Sequence, residues 1–141
     1  NNFNIEKVIN RIIELIPESP PYFPKDQLTD KPERFFVNEK LREKILLYYD
    51  KEIPYSVEVQ TEEFKEEESI IKIRSLILVE RESQKGIIIG HKGVALKKIG
   101  TKARIDLEKF FGKKVFIELY VKVSKNWRSN PNQLKKFGYR N

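Results

Sequence analysis

The segment Ile89-Gly90-His91-Lys92-Gly93-Val94-Ala95-Leu96-Lys97-Lys98-Ile99 constrains this chain more than any other. The pattern on either side of it is helical. A short helix is predicted from Gln84 to Ile89, capped by Ser83, and a longer one from Val94 to about Phe111. Leu96, Ile99, Ala103, Leu107 and Phe110 form the core face of the longer helix, and Gly112 fits its C-terminal cap position. Between the helices, Gly90 and Gly93 enclose only His91 and Lys92. Glycine lacks a Cβ, so the chain can turn sharply there and another backbone can approach closely. Amides at the start of the following helix point toward any nearby anion, helped by the helix dipole. Lys92, joined by His91 when protonated, adds positive charge at the same place. A G-x-x-G pair alone is common; set between two helices, with basic residues inside and apolar residues on both sides, it is far more specific. A plain tight turn between helices is the competing reading and ranks below contact with an anion.

The rest of the chain supplies the frame. Ile5, Val8, Ile9, Ile12, Ile13 and Ile16 put one apolar stripe on a helix over residues 3–16. Pro17, Pro20, Pro21 and Pro24 then predict an extended linker, because proline removes backbone donors and restricts its predecessor. Asp30, with Glu33 three residues on, reads as a helix start, followed by Phe36, Val37, Leu41, Ile45, Tyr48 and Tyr49 at helical spacing. Tyr55, Val57 and Val59 alternate as a strand, and the charged run from Glu62 to Glu68 reads as a hairpin tip. A second strand covers about Ile70 to Glu80, with Ile71, Ile73, Ile77 and Val79 on one face. A third alternates through Val115, Ile117, Leu119, Val121 and Val123, and a short basic tail helix follows near Trp127 to Lys136. Phe and Tyr fall mostly on predicted core faces, and the lone Trp127 is expected to pack rather than stack on a ligand. The order α-β-β-α-α-β plus a tail helix gives an α+β fold, a three-stranded sheet with helices packed on one face.

Composition narrows the function. Among 141 residues there is no cysteine and one histidine, which removes thiolate metal sites, cysteine nucleophiles and histidine pairs. Neither G-x-S-x-G nor the phosphate-loop G-x-x-x-x-G-K-[ST] occurs, and no constellation of paired catalytic groups can be nominated. No apolar run approaches the ~20 residues of a membrane-spanning helix. The chain opens on Asn and contains no Met, so it is expected to be a piece of a longer protein. Its net charge of +7 is unevenly placed: residues 1–84 hold 13 Lys/Arg against 18 Asp/Glu, and residues 85–141 hold 15 against 3. Clustered Lys and Arg gain by displacing counterions from phosphates, so the C-terminal part points to a polyanionic partner.

The glycine-flanked turn and its two helices resemble the KH domain of type II, whose G-x-x-G loop clamps the sugar-phosphate backbone of about four nucleotides. That resemblance implies single-stranded RNA binding in a groove beside the loop. Gly90, His91, Lys92 and Gly93 would form the clamp, Ile88, Ile89 and Val94 the apolar floor, and Lys85, Lys97 and Lys98 the rim. Ile53-Pro54-Tyr55-Ser56-Val57, the stretch from Glu80 to Gly90, Phe110-Phe111-Gly112-Lys113-Lys114-Val115 and Lys136-Phe137-Gly138-Tyr139 extend the likeness to the C-terminal portion of the Era GTPase family. By that likeness, residues 1–16 are the last helix of a missing G domain, 17–29 a proline-rich linker and 30–141 the KH domain with its tail. Era-type proteins bind a single-stranded segment near the 3′ end of small-subunit ribosomal RNA, assist maturation of the small subunit, and are cytoplasmic, partly at the inner membrane surface. The implied partners are therefore RNA, the small ribosomal subunit, the chain's own G domain and, weakly, a membrane surface. GTP hydrolysis does not carry over: GTP and Mg would belong to the missing domain, and no cofactor or metal is expected here. The alternative is a protein-interaction module, supported by the apolar stripe on residues 5–16.

Overall fold

The computed structural model describes residues 4–19 and 33–139. The chain divides into two compact units, residues 1–30 and 31–141. In the first unit, α1 spans Ile5–Leu15 and buries none of its residues. The predicted stripe is there, with Ile5, Val8, Ile9, Ile12 and Ile13 all exposed. The prolines from Pro20 to Pro24 and the predicted cap at Asp30 lie outside the described residues.

The second unit runs α2 (Glu33–Tyr48), β1 (Glu58–Glu66), β2 (Ile70–Val79), α3 (Glu82–Ile89), α4 (Val94–Phe111), β3 (Lys114–Val123) and α5 (Pro131–Lys136). The sheet order is β1-β2-β3. β1 pairs antiparallel with β2 across a tight turn, whereas β2 and β3 are parallel and need the crossover that α3 and α4 provide. Alternation decides which side is covered. Ile71, Ile73, Ile77 and Val79 of β2 are almost fully buried, and they share one core with Val37, Leu41 and Ile45 of α2, Ile88 of α3, and Ile99, Ala103 and Leu107 of α4. Most polar groups inside find partners, the indole Nε1 of Trp127 being an exception among the described residues. Thr61 donates to Asn38 Oδ1 at 2.7 Å and sits 3.1 Å from the Ser75 hydroxyl. Lys44 buries its stem and meets Asp106 of α4 and Glu43, at 3.0 Å from the latter.

Four local expectations are corrected. The first strand begins at Glu58, not Tyr55; Tyr55 closes a single 3-10 turn, Ile53–Tyr55, and is 73% exposed. The acidic run is mostly strand. A bulge between Thr61 and Glu63 carries β1 on to Glu66, so the turn falls at residues 67–69. Charge is tolerated there because the face away from the helices is open to water, and Glu63 sits 3.6 Å from Arg74 on the paired strand. α3 starts at Glu82, and its entry is held by Gln84 Oε1, which accepts from the amides of Glu80 and Arg81 at 3.0 Å, rather than by Ser83. Phe110 is exposed and stacks on Phe36 at 4.9 Å between ring centres; Phe111, one residue on, packs against the core and Phe64.

The tail folds back on this unit. Trp127 is buried edge-to-face against Phe137 at 5.7 Å, as expected of a packing residue. Arg128 donates to the Tyr55 carbonyl at 3.0 Å and pairs with Glu80 at 2.8 Å, and the Tyr139 hydroxyl donates to the buried Glu58 at 2.8 Å. Ile77 sits on the middle strand with no exposed surface. Ile77→Ala should therefore lower unfolding free energy by about 2–5 kcal/mol, the cost of an unfilled core site, read by urea denaturation.

Candidate nucleic-acid interface

Where α3 gives way to α4, three successive departures from helical geometry turn the chain. Gly90 has φ 71° and ψ 178°, Lys92 φ 50° and Gly93 φ 77°. The Gly93 amide closes the turn on the Gly90 carbonyl at 3.2 Å. The two glycines are required for different reasons. Gly90 occupies a backbone region that essentially only glycine adopts, and a Cβ there would sit 2.6 Å from the Ala95 side chain. Gly93 needs its left-handed conformation but faces open space. His91 and Lys92 project from the turn fully in water's reach. Gly93 offers no side chain to cap α4, so the first-turn amides face outward beside these cations.

The turn is held from below. The hydroxyl of Tyr49, the residue just past α2, donates to the Ile88 carbonyl at 2.7 Å, fixing the end of α3 just before Gly90. Burial pushes the Tyr49 phenol up to about 12.

From the turn a groove of about 430 Å³ runs between α4 and β3, lined by Gly93, Leu96, Lys97, Gly100, Thr101, Arg104, Phe116, Ile117 and Leu119. Leu96, Ile117 and Leu119 are its apolar floor, and Lys97 and Arg104 its cations; no lining residue is acidic. Gly100 leaves the helix bare there, since a Cβ would meet Leu119 at 3.2 Å. Arg104 pairs with Glu108 at 2.9 Å. The Val115 amide, and after it the Arg104 guanidinium, hold the Glu108 carboxyl below the usual carboxylate range.

Of the ten residues expected at this site, the structure brings Gly90, His91, Lys92 and Gly93 together in the turn and sets Lys97 on the groove wall. Val94 is 65% exposed beside the turn, and Ile89 and Lys85 are half-buried on α3; none of the three lines the groove. Ile88 is corrected: it is fully buried in the core and cannot be a floor. Lys98 turns to the other side of α4, where its ammonium lies 4.4 Å from the Tyr48 ring centre. The floor of this groove escaped sequence reasoning because Leu96, Ile117 and Leu119 carry an ordinary core pattern. The usable signal was Gly100, a bare position inside an otherwise well-formed helix, where glycine costs roughly 1 kcal/mol relative to alanine.

Comparison with known proteins assigns the fold. The family model for the KH domain matches residues 52–128. The chain belongs to the KH-domain family. The three-stranded mixed sheet with its two-helix crossover is the type II arrangement. This KH domain and its flanks are 52% identical over 137 residues to the GTPase Era of Syntrophus aciditrophicus, covering 96% of this chain and 45% of that protein. Identity to the GTPase Era of Thermoanaerobacter pseudethanolicus is 49% over 140 residues, covering 98% and 46%. Two solved structures are similar at a TM-score of 0.89 and 39% identity, covering 98% of this chain and 47% of each: an Era variant from Aquifex aeolicus with GDP and aluminium fluoride, and Era in complex with MgGDPNP and nucleotides 1506–1542 of 16S ribosomal RNA. The chain spans about half the length of the curated relatives it matches.

Two expectations follow for the turn. Gly93→Ala should cost about 1–2 kcal/mol in backbone strain alone, whereas Gly90→Ala should cost about 3 kcal/mol or more, since strain and overlap with Ala95 add. Ala95→Gly should restore part of the second loss and none of the first, by thermal denaturation. Because folding favours the Tyr49 hydroxyl over its phenolate, the stability it contributes is present below pH about 10 and lost as pH rises toward about 12. Tyr49→Phe should cost about 0.5–1.5 kcal/mol at neutral pH and flatten that alkaline loss in a pH series of urea melts.

Proposed function

We propose that this KH domain binds single-stranded RNA, with the Gly90–Gly93 turn on the sugar-phosphate backbone and unpaired bases against Leu96, Ile117 and Leu119. The observation that carries this is the cationic, glycine-flanked turn at an uncapped helix start, opening directly onto a groove with no acidic wall. A protein partner would not need amides and lysines focused on one point; a phosphate chain does. Lys97 and Arg104 would line the path of the strand, with Lys85, Ile89 and Val94 at its margin.

The RNA is, on this reading, the 3′ end of small-subunit ribosomal RNA, bound during small-subunit assembly by an Era-type GTPase of which this chain is the RNA-binding part. Support comes from the similarity to Era and from the Era structure that holds 16S nucleotides. GTP, Mg and the hydrolytic step would belong to the part of the relatives that this chain does not span. Residues 1–16 would then be the last helix of that G domain, which its exposed isoleucine stripe suits, residues 17–29 the linker, and 30–141 the KH domain with its tail. Such a protein would work in the cytoplasm, with its basic surface giving weak attraction to an anionic inner membrane face; among the described residues no helix is long and apolar enough to cross a membrane.

His91→Asp with Lys92→Asp should abolish binding of single-stranded 16S 3′-end RNA and leave the melting temperature nearly unchanged, because both side chains are exposed and aspartate tolerates the left-handed backbone at Lys92. Affinity of the unaltered chain should fall with salt at a slope of roughly −0.7 per phosphate contacted. Undiminished binding by the double variant would remove the turn from the interface, and a flat salt response would point to a protein ligand.

A further inference from the structure

The side of the sheet turned away from α2 and α4 carries a pattern of which the groove uses only Phe116. Along β3 the residues on that side are Lys114, Phe116, Glu118, Tyr120 and Lys122. Phe116 and Tyr120 are 50% and 49% exposed, although large aromatic side chains in a small domain are expected in its core. Glu118, the one acid among them, is taken up by Arg74 of β2, Nε to Oε2 at 3.3 Å, and the same guanidinium lies 5.9 Å from the centre of the Tyr120 ring. Neither Lys114 nor Lys122 forms an ion pair among the described residues. The strand therefore reads as cation, ring, neutralised pair, ring, cation, with the two rings roughly 13 Å apart at strand spacing.

We propose that this face of β3 is a second RNA contact, a stacking platform for the unpaired bases that leave the groove. The proposal rests on the RNA reading of the groove and deepens it. Continuity is given by Phe116, which lines the groove and also stands on the outer side of the sheet. A strand crossing the β3 edge meets Phe116 first and Tyr120 next. Every base has a π face, so rings spaced along a strand accept single-stranded RNA without regard to sequence. The flanking lysines would meet phosphates. A protein packing on these rings would need acids placed over both lysines to offset their desolvation, whereas every nucleotide of an RNA strand brings a phosphate.

The test uses the full chain and two RNA probes. Tetranucleotides tiled across 16S nucleotides 1506–1542 identify the best groove ligand, matched to the span of about four nucleotides that a KH loop clamps. That tetranucleotide is then extended into the flanking 16S sequence at each end. The extended probe should bind more tightly than the tetranucleotide. Tyr120→Leu with Lys122→Gln keeps apolar bulk while removing the ring and the charge. It should weaken the extended probe by roughly 5- to 150-fold, the range expected for loss of a stacking ring, and leave the tetranucleotide within about twofold. Tyr120→Phe alone, which keeps a ring, should bind as the unaltered chain does. His91→Asp with Lys92→Asp should abolish both probes. If extension brings no gain, or if the Tyr120 variant binds the extended probe undiminished, the platform is overturned and the face is left to a protein partner. If the unaltered chain binds no probe of either length, the groove reading itself fails, and the platform with it.

Discussion

Parallel pairing of β2 with β3 is the constraint from which the rest follows. Two parallel strands cannot be joined by a tight turn; the chain must travel back the length of the sheet before it can pair again. Here it does so between Val79 and Lys114. One unbroken helix over that stretch would run roughly 50 Å, well beyond the length of ten-residue strands, so the crossover has to fold on itself. The break falls at Gly90–Gly93, where Gly90 lies against Ala95 with no room for a Cβ. A sharp turn at a helix start is demanded by topology. Its exposed amides then come with two cations whose side chains, those of His91 and Lys92, stand in solvent.

Much of this was legible because it is periodic. α4 spans the predicted residues, β2 and β3 follow their alternation, and the two glycines announce the turn. The misreadings share one cause: sequence spacing tells which residues lie on one side of an element, but not what lies opposite. Ile88 looked like a groove residue because it precedes the loop, yet Tyr49 pulls the end of α3 onto α2 and buries it. Phe110 and Phe111 are adjacent, and only the position of Phe36 and Phe64 decides which faces the core. The acidic run looked like a turn because nothing in it tells of the bulge at Thr61, or of Arg34 reaching from α2 to the Thr61 and Glu62 carbonyls on this edge strand. The groove floor was hidden by the same limitation, as it is made where two core-like patterns fail to close over Gly100.

Charge follows a similar division. The C-terminal part of the chain has three acids, and each is occupied: Asp106 by Lys44, Glu108 by Arg104 and the Val115 amide, Glu118 by Arg74. Two of those pairs join elements, α2 to α4 and β2 to β3, so acids are placed where they hold the frame together. α4 is accordingly three-sided. Ile99, Ala103 and Leu107 enter the core, Lys98, Asp106 and Phe110 face α2, and Lys97, Thr101 and Arg104 face the groove. The side that the turn opens thereby carries Lys97 and Arg104 with no acid on the groove wall.

The register of β3 decides what both of its sides can do. It is an edge strand, paired only with β2 among the described residues, and a shift by one residue would exchange its two sets of side chains. Ile117 and Leu119 would leave the groove, and Tyr120 and the lysines would turn toward it. Both ends are fastened against that shift. At the start, the Val115 amide donates to Glu108 at 3.1 Å, tying the strand to the last turns of α4; at the end, the Ser124 amide donates to the Val79 carbonyl at 2.7 Å. The first of these clasps depends on the same carboxylate that meets Arg104 on the groove wall. Groove charge and strand register are thus held by one side chain, and the two surfaces of β3 cannot be tuned independently of each other.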